Sequence, residues 1–186
     1  MIKKSLLILA SVFLIWQSFQ LLNILNELVL NSWWKIVLIA FLINLFITGV
    51  FAFLGFALPT QKLITNTYYR IKHPMKLQKT YNILKVDVFK KVLLATFWRN
   101  KNQRKKYFNG KLEGVLVLER QSKKSEFGHL LPFIIITAVV VYLIVLGLIT
   151  LATVTFIINI VFNFYPILLQ RHHRMRIQLL RKRMYD

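Results

Sequence analysis

Residues 130–168 read LLPFIIITAVVVYLIVLGLITLATVTFIINIVFNFYPIL, without one charged side chain. A membrane-spanning helix needs about 20 apolar residues, so the run is too long for one straight helix and long enough for two. Gly147 lies near its middle, where a tight turn would separate two spans. One long tilted helix is the alternative, and it would leave the two flanks of the run on opposite sides of the membrane.

Two further apolar runs, 6–28 and 34–58, lie near the N-terminus. Lys3 and Lys4 precede the first, as in a signal peptide, but the run is long for a signal and no small-residue cleavage site follows it. We interpret it as a retained helix of an N-terminal pair over 5–58. With a hairpin over 130–170, the sequence predicts an all-α membrane protein of about four transmembrane helices.

The distribution of charge indicates the topology. The chain carries 26 Lys and Arg against 6 Asp and Glu, a net charge of +20. Seventeen of these cations lie in 59–129 and six in the tail 171–186, whereas the turn at Gly147 has none. Basic segments stay in the cytoplasm, and four spans put both termini and the central loop there. We therefore expect a multi-pass protein of the cell membrane that binds lipids and not nucleic acid, with 1–186 forming a single integral membrane domain.

The basic loop 59–129 is predicted to contain an interfacial amphipathic helix. Between 83 and 98 apolar residues recur at helical spacing beside Lys85, Lys90 and Lys91. Such a helix suits the headgroup region of an anionic leaflet. Residues 100–110 are interpreted as a basic polar connector, and 114–118 as a short strand or the start of a further helix.

The sequence lacks the residues that several kinds of catalytic and metal chemistry need. The chain has no cysteine, so disulfides, thiolate-bound metals and thiol nucleophiles are excluded. No P-loop, dinucleotide fingerprint, metalloprotease helix or nucleophile elbow occurs. We expect no metal and no tightly bound cofactor.

Glu126 and His129 lie three residues apart, just before the long apolar run. On a helix this spacing places both side chains on one face. A carboxylate beside an imidazole makes the imidazole a base for a hydroxyl or an amine, so we predict both as catalytic residues. The alternative is a solvated glutamate and a histidine at an ordinary helix start.

Polar residues also lie in and beyond the second half of the run. Asn159 and Asn163 are at membrane depth, where amides face protein or a water-filled cavity. Pro166 should bend or break the helix near the membrane surface. Beyond it, Gln170 precedes a group of cations suited to phosphate or carboxylate, namely Arg171, Arg174 and Arg176. The alternatives are interhelical hydrogen bonds for the amides and a positive-inside anchor for the arginines.

Together these two patches resemble the glycosyl-4,4'-diaponeurosporenoate acyltransferase family, small membrane acyltransferases of staphyloxanthin-type carotenoid synthesis. The first shared pattern is Glu-x-x-His before an apolar hairpin, here Glu126 and His129. The second, within 163–176, is Asn, an aromatic residue, Pro-Ile and then Gln-Arg-x-x-Arg-x-Arg. The first apolar run departs from the shorter N-terminus that the resemblance leads us to expect.

The resemblance implies transfer of a fatty acyl group to a hydroxyl of a lipid-linked sugar or similar amphiphile. His129 would then be the general base and Glu126 its orienting carboxylate. Asn163 and Gln170 would donate to the acyl carbonyl, and the three arginines would hold the phosphates of acyl-CoA or a similar donor. Two alternatives remain. One is a non-enzymatic membrane protein whose basic loop binds anionic lipid or a partner enzyme, and the other is a membrane methyltransferase marked by His73-Pro74.

Overall fold

The computed structural model describes residues 2–27, 32–96, 99 and 112–185. No strand occurs in these ranges, where nearly every residue is helical. The helices, numbered along the described part of the chain, are α1 (Ile2–Asn23), α2 (Trp33–Ala57), α3 (Asn66–Tyr69), α4 (Pro74–Ile83), α5 (Val86–Ala95), α6 (Leu112–Val145), α7 (Ile149–Asn159) and α8 (Tyr165–Tyr185).

Within the described residues, four helical segments are long and apolar enough to cross a membrane: Ile2–Asn23, Trp33–Ala57, Gly114–Val145 and Ile149–Lys182. The predicted all-α class with about four spans is thus confirmed. The third and fourth segments extend well beyond the predicted apolar run, because α6 begins at Leu112 and α8 continues to Tyr185. Residues 114–118, for which strand and helix were both open, are part of α6.

Gly147 separates α6 from α7. Its φ of +76° is left-handed, a conformation that costs a residue with a Cβ more than it costs glycine. The Leu148 N–H donates to Leu143 O at 2.9 Å and the Gly147 N–H to Ile144 O at 2.9 Å, which is the Schellman closure of a helix. The long apolar run is therefore divided at Gly147 between two segments able to span a membrane, as predicted.

Replacing Gly147 by alanine should lower the free energy of unfolding by about 1 kcal/mol. A Cβ there would meet nothing within 4 Å, so the cost comes from backbone strain alone. Thermal unfolding in detergent measures it, with Gly55→Ala inside α2 as the matched control, since alanine favours a helix interior. A Gly147→Ala variant as stable as the wild type would contradict the strained turn.

Pro166 was predicted to bend or break the fourth span. The chain instead forms a π turn over Ile160–Phe164 and continues directly into α8. Proline at the second position of α8 has no N–H to donate to the preceding turn, and the wider π turn occurs just before it. The tail is consequently helical to Tyr185.

The chain divides into two compact units, of which the first comprises 1–60 and 127–164. Its core is apolar and includes Ile43, Ile136, Leu143 and Leu151, all at most 2% exposed. Small polar side chains tie its helices together as well. Ser11 Oγ donates to Val50 O at 3.2 Å.

The second unit comprises 61–126 and 165–186. It contains the short helices α3, α4 and α5, so much of the segment predicted as a basic loop is helical. In this unit the His172 ring stacks on Tyr81 at 3.9 Å, and Tyr81 donates to Asp87 at 3.0 Å. Burial, with that hydrogen bond, raises the pKa of the Tyr81 hydroxyl. The single domain over 1–186 stays a prediction.

The predicted amphipathic helix is α5, which is shorter than expected. Phe89 faces Tyr165 with ring centroids 5.4 Å apart, whereas Val88 and Val92 are more than half exposed. The end of the predicted helix and the connector 100–110 lie outside the described residues. The interfacial location of α5 and the cytoplasmic side of the basic segments stay predictions.

Candidate functional site

His129 belongs to a chain of hydrogen bonds in the first unit. Its Nδ1 lies 3.2 Å from Asn163 Oδ1. The Asn163 amide donates to Asn159 Oδ1 at 3.0 Å, and the Asn159 amide donates to the Phe133 carbonyl at 3.1 Å. Both asparagines are fully buried. The π turn places Asn163 one wide turn after Asn159.

This series of hydrogen bonds favours the imidazole tautomer that carries its proton on Nδ1. The Phe133 carbonyl only accepts, so it orients the Asn159 amide with its Oδ1 toward Asn163. Asn163 must then present its nitrogen to Asn159 and its oxygen to His129. An oxygen acceptor requires a hydrogen on Nδ1, which puts the lone pair of a neutral imidazole on Nε2. The arrangement suits His129 as a base.

The hydrogen bonds of Asn163 favour a different role from the predicted one. Its Nδ2 donates to Thr48 Oγ1 at 3.1 Å and to Asn159 Oδ1 at 3.0 Å. An amide nitrogen has two hydrogens, and both are thus engaged. Donation to an acyl carbonyl would break one of these buried bonds, so Asn163 is better suited to hold His129 than to bind substrate.

Glu126 forms the centre of a second cluster, within the second unit. Its carboxylate is fully buried. Oε1 accepts from the Tyr68 hydroxyl at 2.9 Å and from Arg171 Nη1 at 3.2 Å. Oε2 accepts from Arg174 Nη2. The described partners of this carboxylate are therefore a phenol and two guanidiniums, while the role of orienting His129 stays a prediction.

Arg174 is as buried as its partner, with 1% of its surface exposed. Its Nη1 donates to Ser122 Oγ at 3.1 Å, and its Nε donates to Tyr69 O at 3.3 Å. The Ser122 hydroxyl in turn donates to the Gln170 carbonyl at 2.9 Å. With its guanidinium engaged on several sides, Arg174 is placed to hold Glu126 rather than a soluble ligand.

Arg171 is the predicted arginine that lines a cavity. Its guanidinium lies 5.3 Å from the centroid of the Tyr68 ring and lines a cavity of about 430 Å³. The other lining residues come from the segment around α3 and the start of α4: Thr65, Thr67, Tyr68, Arg70, Ile71, Lys72, His73 and Leu77. Arg176 is exposed and does not line this cavity.

Sequence reasoning missed the partners of the predicted residues. Tyr68 lies 58 positions from Glu126, and Ser122 lies 52 positions from Arg174. No local sequence pattern pairs such distant residues. Arg70 and Lys72 were counted only as loop charge. His73-Pro74, considered as a methyltransferase marker, has a local explanation, because it is the start of α4 with proline at the first helical position.

A family model described as glycosyl-4,4'-diaponeurosporenoate acyltransferase matches residues 65–183. The chain belongs to this family. The match includes both hydrogen-bonded clusters apart from Thr48, and it leaves out α1 and α2. Separate searches of curated proteins and of solved structures found no match.

The chemistry of the glycosyl-4,4'-diaponeurosporenoate acyltransferase family is acyl transfer. Among the described residues, no three or more side chains suited to bind a metal ion converge. The polar features that bear on this chemistry are His129 with its amide partner and the cavity at Arg171.

Proposed function

We propose that this protein is an integral membrane acyltransferase that moves a fatty acyl group to a hydroxyl of a lipid-linked sugar, such as a glycosylated carotenoid. The observation that carries the proposal is the hydrogen bond from His129 to a buried asparagine, in a chain of an acyltransferase family. The four apolar helical segments in the described part of the chain support a membrane-embedded site and an amphiphilic acceptor. Acyl-CoA or a similar activated ester is the donor.

His129 acts as the general base. The acceptor hydroxyl gives its proton to Nε2 while its oxygen attacks the acyl carbonyl carbon. The tetrahedral intermediate then expels the donor's leaving group, a thiolate for acyl-CoA, which takes the proton back from Nε2. Asn163 Oδ1 holds the Nδ1–H throughout and stabilises the imidazolium. The roles predicted for Gln170 and Arg176 stay predictions.

Mass spectrometry of lipids tests the reaction directly. Membranes with and without the protein receive a glycosylated carotenoid acceptor and a fatty acyl-CoA. We expect a new product heavier than the acceptor by one fatty acyl group, only where the protein is present. Unchanged acceptor, together with no acylated lipid of any other class, would favour a non-enzymatic role in lipid or partner binding.

Replacing Asn163 by leucine should lower kcat by roughly 100-fold with little change in KM. Loss of the Oδ1 acceptor frees the imidazole to rotate and to carry its proton on Nε2. Asn44→Leu is the matched control, because Asn44 is a buried amide of the same unit that donates to Ala40 O and Thr155 O. If both variants lowered kcat equally, Asn163 would have only a packing role.

A further inference from the structure

The cavity beside Arg171 has an unbalanced charge. Among the described residues, Arg70, Lys72 and Arg171 line it and no carboxylate does. Among the described residues, neither Arg70 nor Lys72 forms an ion pair with an acidic side chain. Cations brought together at a concave surface without an acid repel one another until an anion binds between them.

The guanidinium of Arg171 is held in place by neighbouring side chains, and its positive charge is only partly balanced. Tyr68 lies under it, and Glu126 accepts one of its hydrogens. Glu126 is also bound by the buried Arg174, so one carboxylate is shared between two guanidiniums. Because a guanidinium has five N–H groups, Arg171 keeps donors for a ligand.

The remaining lining suits phosphate as well. Thr65 and Thr67, whose hydroxyls are neutral hydrogen-bond donors, line the same cavity. His73 and Leu77 bring the first turn of α4, which has no acidic residue and no side-chain cap. Its N–H groups add partial positive charge. The cavity volume falls within the range of small-molecule sites.

We propose that this cavity is a phosphate-binding site, with Arg70, Lys72 and Arg171 as its charged ligands. The phosphate belongs either to a soluble acyl donor such as acyl-CoA or to an anionic lipid headgroup. The first source deepens the proposed function, and only that assignment rests on it. Binding itself is independent of catalysis.

The test compares two double variants that each remove two positive charges. Arg70→Gln/Lys72→Gln alters the cavity. Lys79→Gln/Arg120→Gln removes exposed cations of α4 and α6 that do not line it. Both pairs are exposed, so folding should persist, and thermal unfolding checks it. Binding is measured in nanodiscs in two arms. The first adds coenzyme A to discs of phosphatidylcholine, and the second measures how much phosphatidylglycerol the protein retains.

We expect the cavity variant to bind its phosphate ligand about 10-fold or more weakly, since it loses charge-assisted hydrogen bonds, and the control variant to change less than about 3-fold. Loss confined to coenzyme A identifies a soluble donor, and loss confined to phosphatidylglycerol identifies a lipid headgroup. Equal effects of both double variants in both arms, or no binding by the wild type, would overturn the site.

The His129→Ala variant separates this inference from the proposed function. If neither the wild type nor His129→Ala transfers an acyl group, but both bind coenzyme A through the cavity, the phosphate site is supported and the proposed reaction is wrong. Conversely, suppose that the wild type and the cavity variant both transfer acyl groups with the same KM for the acyl donor. That result would refute only the assignment of the bound phosphate to the acyl donor.

Discussion

Replacement of His129 by alanine should lower kcat for acyl transfer by about 100- to 10,000-fold, the usual contribution of a general base. The acceptor hydroxyl would then have to lose its proton to water in a largely apolar surrounding. The KM of the acyl donor should change little, because no phosphate contact is assigned to His129. Initial rates with purified protein in nanodiscs give both constants.

The control for this substitution is His173→Ala, which removes an imidazole from α8 that has no assigned role. It should leave kcat within about 3-fold of the wild type, because no step of the proposed reaction uses His173. Thermal unfolding must show that both variants fold. A folded His129→Ala variant with wild-type kcat would remove the base from the mechanism.

The apolar part of the fold could be predicted because hydropathy and the helical period act locally. The apolar run 130–168 indicated two membrane-spanning segments and the glycine that separates them. The extensions of α6 to Leu112 and of α8 to Tyr185 were missed for a physical reason. In the sequence, a solvated glutamate and a positive-inside anchor were the alternatives for Glu126 and Arg174. In the structure the two side chains are buried and form an ion pair.

The candidate site was predictable in its residue types but not in its pairing. Glu126, His129, Asn163 and Arg171 were each singled out from charge, depth and resemblance. The partner of each depends on side-chain directions fixed by packing, such as the π turn that directs Asn163 toward His129. The cavity lining was missed for the same reason, since Arg70 and Lys72 look like any other cations of a basic segment.

Replacement of Glu126 by glutamine should lower the free energy of unfolding by about 3–5 kcal/mol, because it leaves Arg174 as a buried charge without a counterion. Arg174→Met should cost a similar amount by leaving the carboxylate with fewer donors. The double variant Glu126→Gln/Arg174→Met should cost clearly less than the sum of the two, since two groups that contact each other are not independent. Denaturant unfolding in detergent measures all three.

Lys123→Met provides the matched control, since Lys123 pairs with Glu119 at 3.0 Å where both side chains are about one-fifth exposed. Such a pair contributes up to about 1 kcal/mol. If the single substitutions at Glu126 and Arg174 lower the free energy of unfolding no more than Lys123→Met does, water reaches the buried pair. Strictly additive costs would mean that the two residues are stabilised separately.

The same variants separate stability from ligand binding. Arg174→Met leaves the contact between Glu126 and Arg171 in place, so the folded fraction should still bind the phosphate ligand with nearly wild-type affinity. Glu126→Gln removes the carboxylate that positions Arg171, and its folded fraction should bind more weakly as well. If both variants bound equally well once folded, Glu126 would stabilise the unit without positioning Arg171.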